Sequence, residues 1–165
     1  MMEKNGQTSA ELLFLIGGLI IILMMSAVYI AGQNELAIAM GAARNGAIEG
    51  VGTASMEIYP QDSYRDYSIN KINLVNPYSV EIVEISYDEQ GWDNNYNKKK
   101  IQFKVYAKTN EQFTKKELVS IGDMINYDLR KSVAVSFNTT QATNNLYNPV
   151  FSPHYVYTTA NVKWV

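Results

Sequence analysis

The chain has 165 residues, a formal net charge of −2 and 18% charged residues, which suits one modest domain beside an additional helix. The charge balance is not basic enough for nucleic-acid binding, so we expect no nucleic-acid partner. The absence of cysteine excludes disulfide bonds, thiolate metal sites and a cysteine nucleophile. Stability must therefore come from packing, polar contacts or association with other chains.

A short polar stretch at the start of the chain leads into a long apolar segment. Residues 12–34 form 23 consecutive uncharged positions, about 34 Å of helix against a hydrocarbon core of about 30 Å. The run from Leu19 to Leu23 leaves no polar face, which argues against a buried helix of a soluble protein. A cleaved secretory signal fits poorly, because Glu3 cancels Lys4 and no small-x-small site follows the run directly. The segment therefore predicts a membrane helix.

A sequence motif lies at the start of this helix. Gly6 precedes the pattern Gln7-x-Ser9-x-Glu11-x-x-x-Leu15. This pattern resembles the class III signal peptide of archaeal type IV pilin-like proteins, in which a dedicated membrane peptidase cuts just before the glutamine. The resemblance covers roughly residues 1–30. It implies a leader at residues 1–6, a cleavage site between Gly6 and Gln7, and a mature chain whose fifth residue is Glu11.

The same resemblance implies how the helix is used. In that family the processed helix passes from the membrane into the core of a filament, and a variable head domain faces outward. The implied partners are copies of the chain in a helical filament, a prepilin-type signal peptidase, and a pilus assembly ATPase with its membrane platform. In bacterial relatives the fifth-position glutamate is thought to meet the terminal amine of a neighbouring subunit. Burial of such a pair would set subunit register more than it would add stability. The positions expected to carry assembly are Glu11, Leu12, Leu13, Phe14, Leu15 and Ile16.

The helical period continues beyond the apolar segment, so we predict a helix over residues 7–58 that ends before Pro60. Glycines at 41, 46, 50 and 52 each weaken it by about 1 kcal/mol relative to alanine, and a glycine-containing linker is the alternative. Small residues repeat every four positions and form a groove that another backbone can approach closely. We expect a copy of the same helix there. These residues are Ala42, Gly46, Gly50 and Ala54.

Residues 59–165 predict a β-rich head, so the expected class is α+β, with an antiparallel sheet and one packed helix. Alternating apolar residues predict strands at 78–87 and 101–107 joined by a hairpin loop at 88–97, and a shorter strand at 71–75. Thr114 and Glu117 have the spacing of a capping box, which predicts a helix as far as Val133. Further strands are expected at 133–137, 155–157 and 160–165. The outer face of the sheet is expected to be rich in tyrosine, as ordinary sheet surface or as a receptor patch.

The sequence offers little chemistry. His154 is the only histidine and no serine lies near a plausible base, so we expect no enzyme activity, cofactor or metal. Residues 41–46 have the glycine spacing of a P-loop but lack its Lys-Ser/Thr. Residues 93–97 copy three ligand positions of a calcium loop, but Lys98 and Lys104 occupy its glycine and twelfth positions. The lysines at 98–100 are interpreted as a solvated edge. Asn138-Thr139-Thr140 matches the N-glycosylation acceptor pattern.

These features predict a structural subunit of an archaeal type IV-like pilus that serves surface attachment. We expect the precursor in the cell membrane and the mature chain in an extracellular filament. Two alternatives stay open. One is a permanently membrane-anchored, single-pass surface binding module that keeps its leader. The other, within the pilin class, is a minor or initiating subunit, which the sequence does not separate from a major one.

Overall fold

The computed structural model describes residues 3–56, 79–139 and 149–165, and it confirms the α+β class. It divides into two compact units, Met1–Ala37 and Ile38–Val165, so the division falls inside the first helix. The predicted strand at 71–75 and the predicted helix end near Pro60 lie outside the described residues. In chain order the elements are helix α1 (Glu3–Met56), strands β1 (Val80–Asp93) and β2 (Lys98–Thr109), helix α2 (Lys115–Ser136), and strands β3 (Val150–Phe151), β4 (Tyr155–Thr159) and β5 (Lys163–Trp164).

Helix α1 is continuous through the glycine-rich stretch at 41–52, which excludes the linker alternative. Isolated helix propensity would favour melting there, since each glycine costs about 1 kcal/mol. Tertiary packing offsets this cost, because Gly46 and Gly50 lie directly against the backbone of α2. The second half of α1 is therefore held by the head.

The N-terminus of α2 is the capping box that the sequence predicts. The Glu117 backbone N–H donates to Thr114 Oγ1 at 3.4 Å, and the Thr114 backbone N–H donates to Glu117 Oε2 at 2.7 Å. The helix then runs to Ser136, so the predicted strand at 133–137 is wrong. Val133 is fully buried on the same face as Leu129, which shows that packing at helical spacing overrides the strand preference of β-branched residues.

The sheet is mixed, which corrects the antiparallel prediction. Its strand order is β1-β2-β4-β3, and β5 pairs with β2 beyond the end of β4. The β1–β2 and β3–β4 pairs are antiparallel, whereas β4 and β5 both run parallel to β2. The reason is the connection between β2 and β4, which contains α2. A parallel pair needs a crossover of a dozen or more residues, and a helix commonly supplies it.

The β1–β2 hairpin is longer than predicted. Strand β1 continues to Asp93, so most of the expected loop at 88–97 is strand and only residues 94–97 form the turn. Gly91 has a φ of +83° where the register shifts between Glu89 and Trp92, which is a β-bulge that needs a glycine. Apolar and polar residues do not alternate regularly over 88–93, so this part of the sequence resembled a loop.

The core of the head lies between α2 and one face of the sheet. Ile101, Phe103, Val105 and Ala107 of β2 are all fully buried, as their alternation predicts. Tyr157 stacks between the rings of Phe103 and Phe137, with centroid separations of 5.6 and 5.9 Å. Tyr157 is completely buried and Tyr155 nearly so, so these two do not belong to the expected tyrosine-rich surface.

Candidate assembly helix and head-domain sites

The first half of α1 presents an apolar surface on all sides. Every large hydrophobic side chain from Leu12 to Ile30 is exposed, and Phe14 is 83% exposed. Within the part of the chain that the structure describes, α1 is the one helix long and apolar enough to cross a membrane. A surface of this kind is compatible with membrane anchoring, because a soluble chain rarely leaves so much contiguous apolar area in water.

The residues of the signal motif lie within α1. The bond between Gly6 and Gln7 is in the first turns of the helix, which begins at Glu3. Ser9, Glu11 and Leu15 are exposed, as are the remaining expected assembly positions, Leu12, Leu13, Phe14 and Ile16. Glu11 forms no salt bridge with any residue in the described ranges. The carboxylate at the mouth of the apolar segment is therefore available to a cation from outside the described chain.

The small-residue groove of α1 has a different occupant from the one expected. A Cβ added to Gly46 would lie 2.4 Å from the Asp128 carbonyl oxygen and 2.8 Å from Leu129 Cα. A Cβ added to Gly50 would lie 2.8 Å from Ile125 Cα. The backbone that approaches the groove is thus α2 of the same chain, not α1 of a copy. The buried alanines that continue this face are Ala39, Ala42, Ala43 and Ala47.

A carboxyl group is buried where these two helices meet. Asp128 is 5% exposed, and its Oδ2 has no hydrogen-bond partner among the described residues. Burial raises the pKa of Asp128, and the charge of Glu49 raises it further, whereas Lys131 and a hydrogen bond from Thr53 oppose the rise. This burial was not predicted, although Asp128 follows Ile121 by seven positions and Ile125 by three, a spacing that places it on the apolar face of α2.

The outer face of the β1–β2 hairpin is an array of opposite charges. Lys108 Nζ lies 2.9 Å from Glu81 Oε2, and Lys104 bonds to Asp88, which raises the pKa of Lys104. Exposed cross-strand pairs contribute little stability, but they fix the register of the two strands. The charged residues of β1 are Glu81, Glu84, Asp88, Glu89 and Asp93, and those of β2 are Lys98, Lys99, Lys100, Lys104 and Lys108.

Lys98 is more than a member of a solvated edge. Its ammonium donates to the carbonyl oxygens of Ser152 and Pro153 at 2.8 and 2.6 Å, and so ties the start of β2 to the β3–β4 turn. Lys99 is exposed, as the interpretation of a solvated edge expects. The turn that resembles part of a calcium loop is closed internally, because Asp93 Oδ1 accepts from the Asn95 backbone N–H at 2.9 Å.

The remaining sequence candidates are at the surface. Asn138 is exposed just after α2, with a φ of +50°, which asparagine tolerates better than most residues. His154 is also exposed. Among residues 3–56, 79–139 and 149–165, no three His, Cys, Asp or Glu side chains cluster as a metal site would require. The structure thus brings none of these candidates together into a catalytic or metal-binding set within its described part.

One pocket of the head was not predicted. It lies between the first half of α2 and the chain around β5, and its volume is 330 Å³. Asn126 forms part of the wall; its Nδ2 donates to the Ala160 carbonyl at 3.0 Å, and its buried Oδ1 has no partner among the described residues. The other lining residues are Lys115, Leu118, Val119, Gly122, Asp123, Asn161, Val162 and Trp164.

Comparison with known proteins gives no relative. No protein-family model matches the chain, and neither a curated protein nor a solved structure matches it significantly.

Proposed function

We propose that this chain is the pilin subunit of an archaeal type IV-like pilus, cleaved between Gly6 and Gln7 and polymerised through the first half of α1. The observation that carries the proposal is the exposed apolar surface of residues 12–30. It directly follows a signal motif in which Gln7, Ser9, Glu11 and Leu15 all match. The apolar helix accounts for anchoring in the membrane. The cleavage motif accounts for the later transfer of this helix from the membrane into a filament.

The energetics of such a helix favour two successive environments. Each large apolar side chain that leaves water gains about 1.5–3 kcal/mol, so residues 12–30 need a cover at every stage. The bilayer covers the precursor. After cleavage and extraction, the same segment of other copies provides the cover, and a head-to-tail contact of this kind generates an open helical filament.

Glu11 would then sit at the edge of an apolar bundle. A carboxylate carried to the centre of a bilayer costs about 2.5–3.5 kcal/mol, and an unpaired charge in a bundle of helices has a similar problem. Cleavage before Gln7 creates a new terminal amine four residues from Glu11. Pairing between this amine and Glu11 of a neighbouring copy would neutralise both charges and fix the axial register of the subunits.

Mass spectrometry of the native protein tests the cleavage. A mature chain that starts at Gln7 and is recovered in sheared surface filaments is the expected result. An intact Met1 together with a monomeric protein in the membrane overturns the proposal and supports the permanently anchored binding module. Recovery of the chain at filament tips alone would instead identify it as a minor pilin.

Replacing Glu11 tests the pairing separately. We expect E11Q to be cleaved normally and to give several-fold fewer filaments, whereas E11D, which keeps the charge, retains more of the yield. The exposed residue Glu89 of β1 offers a matched control, since E89Q removes the same charge outside the motif. Normal filament yield and normal cleavage in E11Q would show that the glutamate has no register role.

A further inference from the structure

We propose that the pocket between α2 and β5 binds a single uncharged sugar ring. The use of this sugar as the adhesive ligand of a pilus rests on the proposed function. The binding of the sugar does not. The pocket volume of 330 Å³ is at the lower end of the roughly 300–1,000 Å³ usual for ligand sites. A space of this size suits one small ring and is too small for a helix or strand of another chain.

The charges of the pocket favour a neutral ligand. Lys115 and Asp123 both line it, and their formal charges cancel. An anion such as a phosphate would meet the carboxylate of Asp123, and a cation would meet the ammonium of Lys115. No His, Cys, Asp or Glu cluster of metal-binding size occurs in the described part of the chain, and Asp123 is the only carboxylate of this lining. The ligand that this balance admits is polar without net charge.

The walls combine an apolar part with groups that form hydrogen bonds. Leu118, Val119, Val162 and Trp164 supply the apolar part, and the indole adds a large flat surface with one N–H donor. A sugar ring has the complementary construction, since its C–H face is apolar and its hydroxyl groups both donate and accept. Asn161 adds an exposed amide, which can donate a hydrogen bond to a sugar hydroxyl or accept one from it.

Asn126 provides an independent reason to expect a hydrogen-bond donor in the ligand. Its side chain is 6% exposed, and because the Ala160 carbonyl can only accept, the amide nitrogen must face Ala160. Oδ1 is therefore the acceptor left without a partner among the described residues. A buried acceptor in this condition calls for an explanation in a native fold, since the large majority are satisfied. Oδ1 is itself closed to solvent, so a ligand hydroxyl would satisfy it through a shift of the Asn126 side chain toward the pocket that this residue lines.

The chain contains its own reporter for this test. It has two tryptophans, of which Trp164 lines the pocket and Trp92 lies in the β1–β2 hairpin, 58% exposed. The full chain is purified in a detergent without a sugar headgroup, and the W92F variant leaves Trp164 as the only indole. This protein is titrated with glucose, galactose, mannose and N-acetylglucosamine, and with glucosamine and N-acetylneuraminic acid as charged probes.

We expect at least one neutral sugar to change the fluorescence of Trp164 saturably at millimolar concentration, with the charged sugars at least tenfold weaker. The matched reporter W164F, in which only Trp92 emits, should show no saturable change. N126L should weaken binding at least tenfold. Because N126L removes a buried hydrogen bond to Ala160 and can unfold the head, V119F, which adds no indole, provides a second variant. It places a bulky ring at a 56% exposed position of the lining and should block entry without disturbing the core.

Four results would overturn the proposal: no saturable response to any neutral sugar, an equal response in W164F, full binding by V119F, or tighter binding of a charged sugar. These outcomes are independent of polymerisation, because the titration uses the detergent-solubilised chain. An intact Met1 in the native protein would remove the pilin proposal and leave the titration unaffected.

Discussion

The close approach of α2 to α1 makes Gly46 the most sensitive position that we identify in the head. In G46A the new Cβ would lie 2.4 Å from the Asp128 carbonyl oxygen and 2.7 Å from Ser132 Cβ, where ordinary contacts begin near 3.4 Å. The helices must therefore separate by about 1 Å, and overpacking of this kind costs about 1–3 kcal/mol. Alanine returns about 1 kcal/mol of helix propensity, so we expect a net destabilisation of up to about 2 kcal/mol.

Gly41 and Gly52 provide matched controls in the same helix. A Cβ added at either position meets nothing within 4 Å, so G41A and G52A should gain helix propensity without a clash and be slightly more stable than the wild type. Denaturant unfolding of the full chain in detergent micelles, followed by tryptophan fluorescence and circular dichroism, measures all three variants. A G46A protein as stable as G41A would refute the packing of α2 into the groove.

Two further predictions concern α2. Because burial raises the folded pKa of Asp128 above its unfolded value, the folded state holds the proton more tightly, and stability is greatest below the unfolded pKa and is lost as pH rises through the folded pKa. D128N should therefore be more stable than the wild type at pH 7 and show little difference near pH 3.5; equal stability of the two proteins at pH 7, measured by thermal unfolding, would contradict the burial penalty. T114A should lose about 1 kcal/mol through loss of the N-cap, while T114S, which keeps the hydroxyl, should lose much less; an unchanged denaturation midpoint in T114A would show that the cap contributes nothing.

The sequence predicted correctly those elements that are determined by residues close to one another in the chain. The capping box at Thr114 and the alternating residues of β2 each depend on a spacing of two to four positions, and both are confirmed. The apolar helix is similar, since composition alone determines it. The predictions that were wrong concern elements whose structure depends on contacts between distant parts of the chain. At residues 133–137 the packing of α2 overrides the strand preference of the side chains. At Gly91 the bulge interrupts the alternating pattern, so the end of β1 was predicted as a loop.

The direction of β4 could have been predicted but was not. A crossover that contains a helix favours a parallel pair, and the connection from β2 to β4 contains α2 followed by the two-residue strand β3. The pocket at Asn126 could not have been found, because its lining joins two segments that are distant in the chain. The buried Asp128 is different, because its spacing from Ile121 and Ile125 places it on the apolar face of α2 and marks it in the sequence.

The occupant of the small-residue groove changes how the roles of α1 are divided. Since Gly46 and Gly50 lie against α2 of the same chain, that face of the helix is not available to other copies. In the proposed filament, contacts between copies would therefore depend on the apolar residues before it, which are exposed from Leu12 to Ile30. This packing of α1 against α2 stabilises the fold of a chain that has no cysteine. It follows that damage to the two halves of α1 should be separable. G46A should reduce filament yield only as far as it unfolds the head, whereas E11Q should reduce it while the unfolding transition of the head stays that of the wild type.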